Sequence, residues 1–306
     1  MILPNRLSYE SLIGIIAPAS PKPKEEIDND LSTFTSLGFK VKKGRHLYDS
    51  LGYLAGEDKV RAEDFNDMYH SEDVDAIVCY RGGYGTSRIM PYINFPQISK
   101  KIKILCGFSD ITILLNYMAQ RYNTVTFHGP MISSNFLDKA THSSFISTLM
   151  EGYKPYSIEN PEGFKLESSS DKKAEGRLAG GNLSLICSSL GTPYEINFKN
   201  KIIFIEDVGE SPYAIDRMLT TLIQSKSLTE CNGIILGQFT DCEASDKEKS
   251  FKLQEVFEDR LLPLNKPILY NFMSGHDYPK LTLPIGAKAQ LDGKNKILNI
   301  TEPVVK

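Results

Sequence analysis

The sequence lacks several features that would point to particular classes of protein. No uninterrupted apolar run approaches the roughly 18–20 residues that a membrane-spanning helix needs. The formal net charge is -3, and a nucleic-acid-binding protein would usually be basic. The first residues do not have the charged start, apolar stretch and cleavage site of a signal peptide. We therefore expect a cytoplasmic protein with no nucleic-acid or membrane partner.

Cysteine is also scarce. The chain has five cysteines, an odd number, at wide spacings and without a C-x-x-C pair. This pattern argues against a disulfide framework and against a zinc site. No cluster of metal-ligating residues is evident in the sequence, so we expect neither a metal nor another cofactor.

Apolar and amphipathic segments alternate along the first half of the chain, as is typical of a parallel sheet covered by helices. The runs VDAIVCY and IKILCGF predict buried strands, and DITILLNYMAQRY predicts a helix. Polar residues, Pro, Gly and Ser accumulate between 151 and 173, which indicates a linker. We therefore predict an α/β fold with an N-terminal α/β domain at 1–150, in which helices flank a mostly parallel sheet, and a C-terminal α/β domain at 174–306.

Candidate functional residues follow three of the predicted strands. They are Ser109 after IKILCGF, the Gly-rich segment 81–85 after VDAIVCY, and the acids Glu206 and Asp207 at the end of KIIFIED. In open α/β sheets, functional residues gather in the loops beyond the carboxyl ends of the strands. These segments are therefore candidates for one site.

Ser109 has two interpretations. The corner between a strand and a helix can present a nucleophilic serine, but the full G-x-S-x-G pattern requires a second glycine where this chain has Ile111. Serine is also a common helix N-cap. A nucleophilic serine further requires a base, and that base requires an orienting acid.

Five histidines are candidates for the base. His46, His70 and His142 lie in polar contexts and are expected to be solvated. His128 follows a strand and could line a cleft or belong to the core. His276 lies in a Gly-flanked loop after the apolar segment KPILYNF, and such loops carry function more often than core positions do.

The acids and the Gly-rich segment also allow more than one interpretation. Glu206 and Asp207 could form a salt bridge with Arg217 or cap the helix that begins near Tyr213. The segment RGGYG could bind a phosphate, although it fits neither common phosphate-binding pattern. It could equally aim backbone N–H groups at a developing oxyanion.

Taken together, nine segments resemble the LD-carboxypeptidase family of serine peptidases, which also contains the microcin C immunity peptidases. They occur in the family's order and extend from about residue 13 to 292: IGIIAPAS, CYRGGYGTSRIM, GFSDIT, TFHGPM, GRLAGGNLSL, IIFIEDVGE, IDRML, GIILGQF and GHDYPKLTLPIGAKAQLD. The resemblance implies a homodimer whose active site lies in the cleft between the two domains.

The resemblance also implies the site residues. The catalytic triad would be Ser109, Glu206 and His276. Backbone N–H groups of Asp110, Gly82 and Gly83 would form the oxyanion hole. The implied substrates are muropeptides or similar peptides that end in a carboxylate, which requires a cation or a ring of donors. Candidate cations are Arg81 and Arg88.

The reaction that the resemblance implies is hydrolysis of the bond between an L-centre and D-alanine in cytoplasmic muropeptides during cell-wall recycling. A second possibility is a microcin C immunity-type peptidase that cleaves aminoacyl-nucleotide antibiotics. The absence of tryptophan disfavours it, because that branch stacks the nucleobase on aromatic residues that include tryptophan. A third possibility is a non-catalytic module that binds small anions through RGGYG.

Overall fold

The computed structural model describes residues 1–98 and 102–306. Its strands are β1 Leu12–Ile16, β2 Lys40–Lys43, β3 Ala76–Cys79, β4 Ile104–Gly107, β5 Thr126–His128, β6 Tyr156–Ile158, β7 Glu167–Ser168, β8 Lys173–Asn182, β9 Lys201–Val208, β10 Gly233–Thr240, β11 Ile268–Tyr270, β12 Leu283–Ile285, β13 Lys288–Asp292 and β14 Ile297–Ile300. Its α-helices are α1 Lys24–Ser36, α2 Asp58–His70, α3 Thr86–Ile89, α4 Phe95–Ile98, α5 Thr112–Tyr122, α6 Lys139–Leu149, α7 Leu183–Ser188, α8 Pro212–Gln224, α9 Ser227–Glu230 and α10 Leu253–Leu261. Within these described residues, no helix combines the length and apolarity that crossing a membrane requires.

The first sheet has the strand order β12-β5-β4-β3-β1-β2. The five strands from the first half of the chain are parallel, and β3 and β4 are fully buried, as their unbroken apolar runs predict. The sixth strand, β12, comes from the C-terminal part of the chain and pairs antiparallel with β5. The α/β fold is thus confirmed, and one strand crosses from the predicted C-terminal domain into the N-terminal sheet.

The second sheet has the order β6-β14-β13-β8-β9-β10-β11-β7, with β8 to β11 parallel at its centre. Its two edge strands, β6 and β7, lie inside the segment 151–173 that the composition predicts as a linker. Both are short, at three and two residues, so they leave little periodic pattern in the sequence. The predicted linker therefore contributes two short edge strands to a sheet, while the domain bounds stay a prediction.

The helix α5 is tied to the second sheet by a buried amide. Asn116 on α5 accepts a hydrogen bond from Gly180 N at 2.9 Å and donates one to Gly180 O at 2.8 Å. One turn earlier, Thr112 Oγ1 accepts from Asn182 N at 3.1 Å. Gly180 and Asn182 belong to β8, which pairs with β9, and Asn182 lies in register with Glu206. These bonds fix the helix after Ser109 against β8, the neighbour of the strand that carries Glu206.

Candidate active site

Ser109 follows β4 after one intervening residue, Phe108, in a short 3₁₀ turn, Ser109–Ile111, that leads into α5. Its φ is +61°, a left-handed conformation that costs a non-glycine residue roughly 1–2 kcal/mol. Such strained strand-to-helix turns are typical of nucleophile elbows, and strain of this kind concentrates at functional sites. Ser109 is half-buried, and its hydroxyl forms no hydrogen bond with any residue that the structure describes. The contact that defines a helix cap is therefore not made.

Glycines at 82 and 107 leave room for this corner. A Cβ at Gly107 would lie 3.0 Å from the Ile111 side chain, so Gly107 accommodates the isoleucine that replaces the second motif glycine. A Cβ at Gly82 would lie 2.9 Å from Ser109 Cβ and 3.0 Å from its Oγ. The Gly-rich segment therefore passes directly beside the Ser109 hydroxyl, which a side chain at 82 would displace.

Asp110 joins the corner to the Gly-rich segment. Its Oδ2 accepts a hydrogen bond from Thr86 N at 2.7 Å, at the start of the helix that follows RGGYG. The Asp110 carboxyl is fully buried, and burial raises its pKa. On the other side of the segment, Ser20 Oγ accepts from Tyr84 N at 3.1 Å. The loop that carries Gly82 and Gly83 is thus fixed just after these glycines by two hydrogen bonds, and the oxyanion role of these backbone groups stays a prediction.

Glu206 and His276 form a hydrogen-bonded pair. His276 Nδ1 lies 2.7 Å from Glu206 Oε2, and Glu206 is fully buried at the carboxyl end of β9. The ring of Phe108, the residue before Ser109, packs edge-on against the His276 imidazole with centroids 4.9 Å apart. The fold therefore pairs Glu206 with His276 and places Phe108, the neighbour of Ser109, against the imidazole, while the triad itself stays a prediction. Ser109 Oγ is not hydrogen-bonded to His276 here, and such bonds are often long in free enzymes.

The two neighbouring acids have different environments. Asp207 Oδ2 accepts from Ser184 N at 2.9 Å and from Ser184 Oγ at 2.8 Å, and its Oδ1 accepts from Asn182 Nδ2 at 2.8 Å. Asp207 therefore fastens the start of α7, whereas Glu206 faces the imidazole. Arg217, the partner considered for these acids, instead packs over the ring of Tyr213.

The other histidines are placed elsewhere. His70 is exposed, His46 is paired with Asp49 at 2.8 Å, and His142 is half-buried rather than fully solvated. His128 is completely buried beneath the site, and neither ring nitrogen has a partner within the described part of the chain. Burial holds the pKa of His128 well below its usual range, so the ring is neutral.

The two candidate cations differ in the partners they already have. Arg88 forms an ion pair with Asp58 at 3.0 Å, as a structural arginine would. Arg81 donates to the carbonyl oxygen of Pro21 at 3.0 Å and has no carboxylate partner among the described residues. Arg81 is therefore the better placed of the two to bind a substrate carboxylate.

Two buried cations near the site were not predicted from the sequence. Arg61 donates to the carbonyls of Pro18, Gly56 and Gly85, which supports the backbone at the end of the Gly-rich segment. Lys280 is buried four residues after His276. The sequence does contain a signal for Lys280, because this charged residue lies within the otherwise apolar run YPKLTLPIG. We did not single it out from the sequence.

Two family models match the chain. The family model of the LD-carboxypeptidase N-terminal domain matches residues 13–129, and the family model of the LD-carboxypeptidase C-terminal domain matches residues 175–291. A probable murein peptide carboxypeptidase of Bacillus subtilis is 41% identical over 297 residues, covering 96% of this chain and 92% of that protein. The murein tetrapeptide carboxypeptidase of Pseudomonas aeruginosa is 29% identical and covers 92% of this chain and 93% of its own length.

Solved structures from both branches superpose on the chain. The Microcin C7 self-immunity protein MccF in complex with aspartyl sulfamoyl adenosine has a TM-score of 0.93 at 25% identity, covering 100% of both chains. The muramoyltetrapeptide carboxypeptidase from Oxalobacter formigenes has a TM-score of 0.84 at 27% identity, covering 95% of this chain and 99% of the other. The fold is therefore shared with proteins named for two different substrates.

Proposed function

The chain belongs to the LD-carboxypeptidase family of serine carboxypeptidases, and from this premise we propose that it releases D-alanine from muropeptides with Ser109, His276 and Glu206 as the catalytic triad. The observation that carries the proposal is the 2.7 Å bond between Glu206 and His276 in contact with the strained corner at Ser109. A protein that only binds anions has no need of this arrangement.

The chemistry follows from which atoms face each other. Because Nδ1 of His276 faces Glu206, Nε2 is left to take the proton of Ser109 Oγ as that oxygen attacks the scissile carbonyl. Glu206 holds the tautomer and stabilises the imidazolium that forms. The backbone N–H groups of Asp110 and of the Gly82–Gly83 turn would bind the developing oxyanion. The imidazolium then protonates the leaving D-alanine amine, and water hydrolyses the acyl-enzyme.

A direct comparison of two substrates tests the proposed function. Purified protein is incubated with UDP-muramyl tetrapeptide and, separately, with aspartyl sulfamoyl adenosine, the ligand of the MccF complex. We expect D-alanine release with a kcat/KM at least tenfold above that for aspartate release. The TM-score to MccF is 0.93, so a microcin C immunity-type peptidase is the alternative function. The opposite ratio of the two kcat/KM values would indicate that function. Two further expectations, a homodimer and a cytoplasmic location, remain proposals.

The two arginines provide a matched pair for testing recognition of the substrate carboxylate. We expect Arg81→Met to lower kcat/KM for the tetrapeptide roughly 10- to 100-fold, because a hydrogen bond to a charged group contributes about 1.5–3 kcal/mol. Arg88→Met is the control, since its guanidinium is already paired with Asp58. The measurement is steady-state kinetics on both variants. An equal or larger loss of kcat/KM in the Arg88 variant would show that Arg81 is not the arginine that binds the substrate carboxylate.

A further inference from the structure

Lys280 holds the backbone on both sides of His276. Its side chain is only 1% exposed, and Nζ donates to the carbonyl oxygen of Gly275 and, at 3.4 Å, to that of Asp277. These carbonyls belong to the residues immediately before and after His276. The ammonium therefore restrains the peptide groups that set the direction of the imidazole.

The same ammonium contacts the residue before Ser109. Lys280 Nζ lies 4.1 Å from the centroid of the Phe108 ring, within the range of a cation–π interaction. The Phe108 ring in turn packs against His276. One buried cation thus touches the loop that carries the imidazole and the residue that precedes the serine, which come from distant parts of the sequence.

Several titratable groups surround this ammonium. Burial lowers the pKa of Lys280 to about 8, while the charges of Glu206 on β9 and of Asp277 on the same loop act in the opposite direction. Three further titratable groups lie near it: His276, the neutral, buried His128 on β5, and Tyr278, whose ring centroid is 5.3 Å from Nζ. Keeping a lysine in such a position is costly, which suggests that its contacts serve the site.

We propose that Lys280 is a positioning residue for the reaction, fixing His276 through its flanking carbonyls and Ser109 through Phe108. This inference rests on the proposed function. Lysine supplies what the position requires: an ammonium with several donors for two carbonyls and a positive charge for the face of an aromatic ring.

Deprotonation of Lys280 gives the proposal a pH signature. The neutral amine no longer presents a cation to Phe108, so kcat/KM should fall as pH rises through about 8. Stability should change in the opposite sense. The folded pKa lies below that of a solvated lysine, so the unfolded chain binds more protons between about pH 8 and 10.5, and the free-energy cost of burying Lys280 falls as pH rises over that window.

The experiment compares Lys280→Met and Lys280→Arg with Lys103→Met. Lys103 is a second buried lysine, at the opposite end of β4 from Ser109, and it donates to the carbonyl oxygens of Met68 and Ser71. We expect Lys280→Met to lower kcat about 100-fold with KM within threefold, since small misplacements of reacting groups cost about that much. Lys280→Arg should retain more activity and lack the decline above pH 8, while Lys103→Met should lose stability but keep kcat within threefold.

Two results would overturn the proposal: a kcat within threefold of the parent in Lys280→Met, or an equal loss of kcat in Lys103→Met. A second measurement needs no substrate. The ring signals of His276 are followed by NMR in ¹⁵N-histidine-labelled protein and assigned with His276→Gln. They should change in Lys280→Met and not in Lys103→Met. Unchanged signals in Lys280→Met contradict the positioning role. If the signals do change in Lys280→Met but the parent protein hydrolyses neither substrate, only the proposed function is contradicted.

Discussion

Replacing Ser109 by alanine is expected to abolish release of D-alanine while leaving the protein folded. Loss of a triad member costs on the order of a millionfold in turnover in another serine hydrolase, because the attacking oxygen is removed. The Ser109 hydroxyl forms no hydrogen bond within the described residues, so the free energy of unfolding should change by less than about 0.5 kcal/mol. D-alanine release and urea unfolding are the two measurements.

Ser109→Gly is the matched control for the strained backbone. Glycine adopts a φ of +61° without the steric penalty, so this variant should be inactive yet as stable as the parent, or more stable by up to about 1 kcal/mol. If Ser109→Ala keeps more than about a tenth of the activity, equivalent to only about 1.4 kcal/mol, then Ser109 is not the nucleophile. A loss of about 0.5–2 kcal/mol in stability with activity retained would instead support the helix-cap interpretation.

Glu206→Gln is expected to lower kcat about 10,000-fold. An amide has nearly the same shape as the carboxylate, but it neither enforces the required tautomer of His276 nor stabilises the imidazolium, and the equivalent change in a serine protease triad has that effect. KM should change little, because Glu206 is fully buried behind the imidazole and out of contact with a bound peptide. Steady-state and single-turnover kinetics on tetrapeptide separate the two parameters.

Asp207→Asn provides the matched control, since Asp207 is the next residue and is equally buried on the same strand. It should lower the free energy of unfolding by about 1–3 kcal/mol, because its oxygens accept hydrogen bonds from Asn182 and Ser184. Its kcat should stay within tenfold of the parent. A reversal, with Asp207→Asn inactive and Glu206→Gln active, would mean that the orienting acid has been assigned to the wrong residue.

Local pattern in the sequence was sufficient to predict most of the strands, helices and loops that carry the site. Unbroken apolar runs predicted β3 and β4, and the structure confirms both as buried parallel strands. The glycine-flanked loop singled out His276, and the order of nine motifs identified the family. These features depend on residues close together in the chain, where period, turn residues and motif spacing are read directly.

Only the tertiary structure decided which side chains meet. Glu206 and Asp207 are adjacent and chemically similar, yet one pairs with an imidazole 70 residues away and the other fastens α7. The crossing of β12 into the first sheet, the left-handed backbone of Ser109 and the contact of Lys280 with Phe108 were likewise not predicted from local pattern. Each results from packing between segments far apart in sequence, whose contacts are set by the sheet order and the closure of the core rather than by neighbouring residues.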